Sequence, residues 1–248
     1  MLFRVCAGIV FGLLTVASPA QAQNQSPAPP PSKWKLAFGA GLSFTSGNTD
    51  TSTYNSSYTV TYTASERNLF KSDAMFMRGH TEGALSTDRF GLNVREESRL
   101  SDRVFVFGQN QYLRDRFKRI QYLVAPTGGV GLTTVRTERT RVTIDVGVGG
   151  VWEKNPFDDA RASGALTFNQ KLSQTISTTT TVTQSTFGLW KTQDLSDSYY
   201  QFGVSLATAL ASRTQLKVEL LDNYNRRPTG MGVQKNDVSL ILALVFKN

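Results

Sequence analysis

Residues 52–64 read STYNSSYTVTYTA. From Tyr54 onward the even positions carry Tyr54, Tyr58, Val60 and Tyr62, broken once by Ser56, while Thr, Asn and Ser fill the odd ones. A period of two places these sets on opposite faces of a β-strand. The stretch holds no charge and almost no helix former, so the reading turns on what covers a long aromatic face.

The alternation recurs. In WKLAFGAGLSF (34–44) the even positions Trp34, Leu36, Phe38, Ala40, Leu42 and Phe44 are apolar. In RVTIDVGVGGVW (141–152) they are Val142, Ile144, Val146, Val148 and Trp152, and in YYQFGVSLATAL (199–210) Tyr200, Phe202, Val204, Leu206 and Leu210. Pattern and turn signals predict twelve strands, near 33–45, 51–64, 68–80, 88–100, 103–116, 120–134, 140–153, 159–172, 175–188, 197–211, 214–226 and 236–247. The parity of the strand at 103–116 is ambiguous. Odd-numbered connections read as loops (SGNTD, TEGALST, KNPFD, WKTQDLSD, RRPTGMGVQK) and even-numbered ones as tight charged turns (SERN, LSDR, RTERT, LASRT).

A soluble sandwich also alternates, but its strands are commonly about five or six residues. These run to about ten or more, the length of a tilted strand crossing a bilayer. Trp34, Phe44, Tyr62, Tyr112, Tyr122, Trp152, Trp190 and Tyr224 fall near strand ends, where interfacial girdles sit. The chain ends in SLILALVFKN, with Leu240, Leu242, Leu244 and Phe246 on one face. The expected fold is an all-β, closed, antiparallel transmembrane barrel of twelve strands. Tyr54, Tyr58, Val60 and Tyr62 then face lipid, and Thr53, Asn55, Ser57, Thr59 and Thr61 the lumen.

Residues 1–22 read as a secretory signal: Arg4, an apolar run from Val5 to Ala17, and Ala20-Gln21-Ala22 as a cleavage site. NQSPAPPPS (24–32) is proline-rich, giving a linker over 23–32 and one domain, 33–248. Cys6, the single cysteine, lies in the signal, so disulfides and thiolate metal sites are excluded. The mature chain keeps 26 basic and 19 acidic residues, +7. An exported chain argues against nucleic acid as the reason for that charge.

SGNTDTST (46–53), VFGQNQYLRDRF (106–117) and QFGVSLATALASRTQLKVELLDNYNRRP (201–228), followed by KNDVSLILALVF, resemble the YdiY-like salt-induced outer membrane proteins, a family of unknown function. The resemblance covers essentially all of 34–248. It implies a signal peptide, an outer-membrane barrel and a Gram-negative cell envelope, with insertion by the barrel-assembly machinery. It brings no substrate, cofactor or catalytic residue.

Parity directs Lys35, Lys71, Asp73, Arg95, Glu97, Arg99, Arg141, Asp145, Arg161, Lys171, Lys217 and Glu219 into the lumen, eight basic and four acidic. They either close the interior by pairing or line a narrow basic path that favours anions. Arg95, Arg99, Arg141 and Arg161 are the strongest candidates for such a path. A second basic group, Arg114, Arg116, Lys118 and Arg119, with Arg226 and Arg227, is expected in outer loops, where lipopolysaccharide phosphates are the anionic neighbour.

Catalysis finds little support. The single histidine, His80, faces away from the lumen at an outer strand end, and nothing specifies Ser86 as a nucleophile. Glu96-Glu97 point to opposite faces, and Asp158-Asp159 sit in a loop. TSGNTDT (45–51) matches a hairpin better than a calcium loop. GAG (39–41) and GVGG (147–150) lie inside strands and are no nucleotide loop. No cofactor or metal is expected. The reading is a non-enzymatic envelope barrel, either a narrow pore for small solutes or anions or a structural, salt-stress barrel; the alternative is an outer-membrane enzyme or surface-binding module.

Overall fold

The computed structural model describes residues 32–46, 51–81, 84–156, 158–228 and 233–248. The signal over 1–22 and the linker up to Pro31 lie outside the described residues, as do the middle of TSGNTDT and the side chain of Phe44. Twelve strands follow one another: β1 Trp34–Ser46, β2 Thr51–Thr63, β3 Asn68–Thr81, β4 Ala84–Arg99, β5 Val104–Asp115, β6 Ile120–Arg136, β7 Thr140–Lys154, β8 Arg161–Thr175, β9 Thr180–Lys191, β10 Asp194–Ala211, β11 Thr214–Asn225 and β12 Asn236–Lys247. Each pairs antiparallel with its sequence neighbours. β1 also pairs with β12, from Ala37 opposite Lys247 to Ser46 opposite Val238, and this closes the barrel. Closure leaves no unpaired edge, so the backbone is satisfied without water, as a lipid surround demands.

Alternation decides the two faces. Tyr54 is exposed on the outside while Thr53 and Asn55, at 4 % and 5 % exposure, are buried inside. Phe38, Leu42, Val130, Val146, Val148, Phe202, Leu206, Leu242 and Leu244 project outward and stay exposed, forming an apolar belt. A belt this continuous has no place on a soluble monomer. It is bounded by aromatics. At the terminal end, where β1 begins and β12 ends, Trp34 packs on Tyr62 with ring centroids 4.4 Å apart. At the opposite, distal end, Trp190 packs edge-on against Tyr200, its Nε1 donating to the Tyr200 hydroxyl at 2.9 Å, and Tyr200 continues to Tyr224. Phe90–Tyr112 and Tyr54–Phe76 extend this girdle.

Strands run further than alternation shows at the distal end. β4 begins at Ala84 and β10 at Asp194, so most of TEGALST and WKTQDLSD is strand, with a register shift between Asp194 and Ser198, and only Thr192 and Gln193 join β9 to β10. The expected contrast between long distal loops and short turns therefore narrows to two connections, 155–160 and 226–235. In β4 pairing continues through Thr87, Leu85 and Ala84, beyond where the hydrophobic alternation has stopped.

The ambiguous strand resolves with odd positions inward. Phe105, Phe107 and Gln109 are buried in the lumen, while Val106, Asn110 and Tyr112 face out. VFVF is apolar on both parities, and its neighbours break the tie. Opposite Phe105 and Phe107 stand Gly131 and Gly129, where only hydrogen leaves room; a Cβ on Gly131 would lie 2.1 Å from the Phe105 ring.

Candidate functional site in the barrel lumen

The lumen near the terminal end holds a charged cluster centred on Arg95. Its Nε lies 2.8 Å from Glu97 Oε1 and its Nη2 2.8 Å from Asp145 Oδ2, while Nη1 donates to Gln109 Oε1 at 2.8 Å. The guanidinium lies over the Phe107 ring, 3.8 Å from its centroid. Lys71 shares Glu97 at 2.8 Å, and Asn169 donates to Asp145 at 2.7 Å. Arg95 thus reaches from β4 to β7 with every face engaged. Lys217 pairs with Glu219 at 2.7 Å, and Asn93 donates to Asp73 at 3.2 Å.

All twelve lumenal candidates sit on inward positions, but their charges are unequally available. Among the described residues Lys35, Arg99, Arg141 and Lys171 have no carboxylate at ion-pair distance. They lie toward the terminal mouth, where Arg99 also edges a depression of about 540 Å³ together with Arg67, Arg136, Glu66 and Asp102. Arg161 is exposed at the distal rim, opposite Glu153 in register; Glu153 instead binds Lys191 at 2.6 Å, which also reaches Asp197 at 2.8 Å. Arg95, expected to line a path, is neutralised.

The distal half is closed by residues outside that set. Arg89 on β4 donates through Nη2 to the Tyr199 hydroxyl at 3.1 Å and to Asn223 Oδ1 at 2.9 Å. Tyr199 and Gln201 also donate to Asn223 Oδ1, at 2.7 and 3.1 Å. β4 and β10 are six strands apart either way round a twelve-strand ring. The Arg89–Tyr199 bond therefore crosses a diameter of the lumen.

A second crossing comes from the 116–119 turn. Asp115 Oδ1 accepts from the backbone N–H groups of Phe117 and Lys118 at 3.1 and 3.0 Å, and Arg119 takes a left-handed φ of 56°. This geometry drives Lys118 into the barrel at 2 % exposure. There its Nζ donates to the Asn223 carbonyl at 3.0 Å and pairs with Asp237 at 3.2 Å. Burial holds the Lys118 ammonium below its ordinary range, with Asp237 opposing.

Lys118 is thus a correction to the expected outer-loop cluster: it points inward. Arg114 is also not in a loop. It lies on β5, faces outward and contacts Asp88 at 3.2 Å. Arg116, Arg119 and Arg226 remain exposed at the distal rim, and Arg227 there pairs with Asp194. Parity alone marks Arg89 and Asp237 as inward, since both share the odd positions of their strands. Lys118 carries no such signal, because a turn has no two-fold period.

Between the two charged levels lies an apolar layer. Met75 packs against Leu221, Ile241 and Ala243, while Leu123 and Phe187 pack against Ala125, Val151, Ala165 and Leu189. His80 is exposed beside an irregularity in β3, and among the described residues no three His, Cys, Asp or Glu side chains gather to hold a metal.

A family profile described as a protein of unknown function, DUF481, matches residues 38–247. The chain belongs to this family. No curated protein matches it. Among solved structures it is similar to the NanC porin, at 12 % identity and a TM-score of 0.57, covering 86 % of this chain and 100 % of that one. An outer membrane channel of Pseudomonas putida F1 aligns at 10 % identity and a TM-score of 0.53, over 88 % and 96 % of the two chains. The KdgM porin, in complex with oligogalacturonate, aligns at 6 % and 0.50, over 86 % and 98 %. These likenesses establish the barrel fold shared with porins and channels.

Proposed function

We propose that this member of the family is a non-enzymatic outer-membrane channel for small solutes, with its distal end at the cell surface and its lumen shut at rest by the Arg89–Tyr199–Asn223 crossing and Lys118. The observation that carries the reading is how the lumen is closed. Side chains and one short turn span its distal half, with the apolar layer and the Arg95 cluster below them. The closure also carries costs: a buried ammonium and a left-handed non-glycine residue both favour release of the turn. Resemblance in fold to porins and channels supports this location and role.

Inward basic residues of the terminal half, Lys35, Lys71, Arg95, Arg99, Arg141, Lys171 and Lys217 among them, outnumber the acids Asp73, Glu97, Asp145 and Glu219. That excess lowers the barrier for anions. At the outer rim, lipopolysaccharide phosphates are the proposed neighbours of the exposed Arg116, Arg119 and Arg226.

Single-channel recording in a planar bilayer tests the reading. The wild type should show rare, brief openings, and Lys118→Ala or Arg89→Ala should raise the open fraction at least tenfold. Arg99→Ser with Arg141→Ser should then weaken anion preference. Folded, inserted variants that stay silent would leave a purely structural envelope barrel.

A further inference from the structure

Below the Arg89 crossing the lumen opens into a cavity of about 160 Å³. Its walls are Met75, Leu113, Leu123, Phe187 and Leu221, from five different strands, joined by the amides of Gln111 and Gln201. Arg89 and Tyr199 roof it, and Asp73 lies toward the terminal end. Gly91 stands on the inward face between Arg89 and Asn93, and a Cβ added there would meet nothing within 4 Å. The space is therefore wide at the centre of the wall, and a cavity of about 150 Å³ with apolar walls is known to admit benzene.

Polar groups at the two ends restrict what fits. Arg89 presents a positive charge above and Asp73 a negative charge below. Asp73 Oδ1 accepts from Asn93, while its Oδ2 has no hydrogen-bond partner among the described residues. A neutral hydroxyl can donate to Asp73 Oδ2 while its ring lies among the wall side chains. We propose that this cavity is a binding site for small hydroxylated monocyclic aromatics, of the phenol class. The site shares the lumen of the proposed channel but does not need the barrel to conduct.

The test is equilibrium binding of phenol, toluene and benzoate to the full barrel in lipid nanodiscs, read by calorimetry. Phenol should bind saturably and at least tenfold more tightly than either toluene or benzoate. Gly91→Leu, which fills the space without meeting a neighbour at its Cβ, should weaken phenol at least tenfold, and Leu113→Trp supplies the same filling from another wall should the first variant fail to fold. Asp73→Leu should bring phenol to the level of toluene. Phenol affinity unchanged in folded filling variants overturns the site, and benzoate equal to or tighter than phenol overturns the ligand class. Binding without conductance removes the channel reading and keeps this one, whereas conductance without binding does the reverse.

Discussion

Gly91 and Gly129 share the inward parity of their strands, yet their surroundings are opposite. A Cβ on Gly129 would lie 2.0 Å from the Val146 carbonyl oxygen, which is backbone and cannot swing away, whereas one on Gly91 meets open space. Gly129→Ala should therefore destabilise the barrel by about 1–3 kcal/mol, the ordinary cost of overpacking. Gly91→Ala should be neutral or stabilise by about 0.5 kcal/mol, because it removes the flexible residue of a strand without a clash. Urea titration of the two variants in lipid, followed by the mobility difference between folded and unfolded barrel, measures both. Equal losses would mean that the close approach at Gly129 is not what constrains that residue. The sequence shows glycines inside strands and so points to close contact or bending, but it does not reveal which neighbour each one faces. That depends on register across two ladders, as with Gly131 beneath the Phe105 ring.

The 116–119 turn is the element that departs furthest from sequence expectation, since solvation favours an outward lysine and here the Asp115 side chain and the left-handed Arg119 turn it inward. The consequence is a pH dependence with a definite sign. Lys118 in the folded barrel has its affinity for the proton lowered by burial, below the ordinary value of 10.5. Between that lowered value and 10.5 the unfolded chain binds more protons than the folded one, so Lys118's contribution to stability rises with pH across this window. Below the window both states are protonated and the full cost of the buried charge is present. The stability of the wild type relative to Lys118→Met should accordingly increase as pH climbs toward 10.5, read from paired urea titrations. A difference that instead falls with pH would show that the pairing with Asp237 outweighs desolvation. Strand elements were far more legible: the belt residues of β1, β2, β7, β10 and β12 each alternate cleanly because one face meets lipid. β5 was not, because its inward Phe105 and Phe107 are apolar and are accommodated by glycines on β6 and β7.

At the scale of the whole molecule the charge is distributed unevenly along the lumen. The distal half balances Arg89, Lys118, Arg161 and Lys191 against Asp115, Glu153, Asp197 and Asp237, while the basic excess lies in the terminal half. A list of inward charges read from parity finds the excess but not its position, because placing it requires knowing which residues of each strand lie level with one another. The uneven distribution makes the barrel electrically asymmetric. In an opened variant such as Lys118→Ala, a multivalent anion such as citrate added on the terminal side should meet Lys35, Arg99, Arg141 and Lys171 directly. It should block current at least tenfold more effectively there than from the distal side. Near 1 M salt, where the screening length falls to about 3 Å, the difference should shrink toward nothing. Recording a barrel of known orientation with citrate added to each side in turn decides the matter. Block that is equal from both sides at low salt would place the basic excess out of reach of the conducting path, and the terminal mouth would then have to be read as a surface that binds anions without passing them.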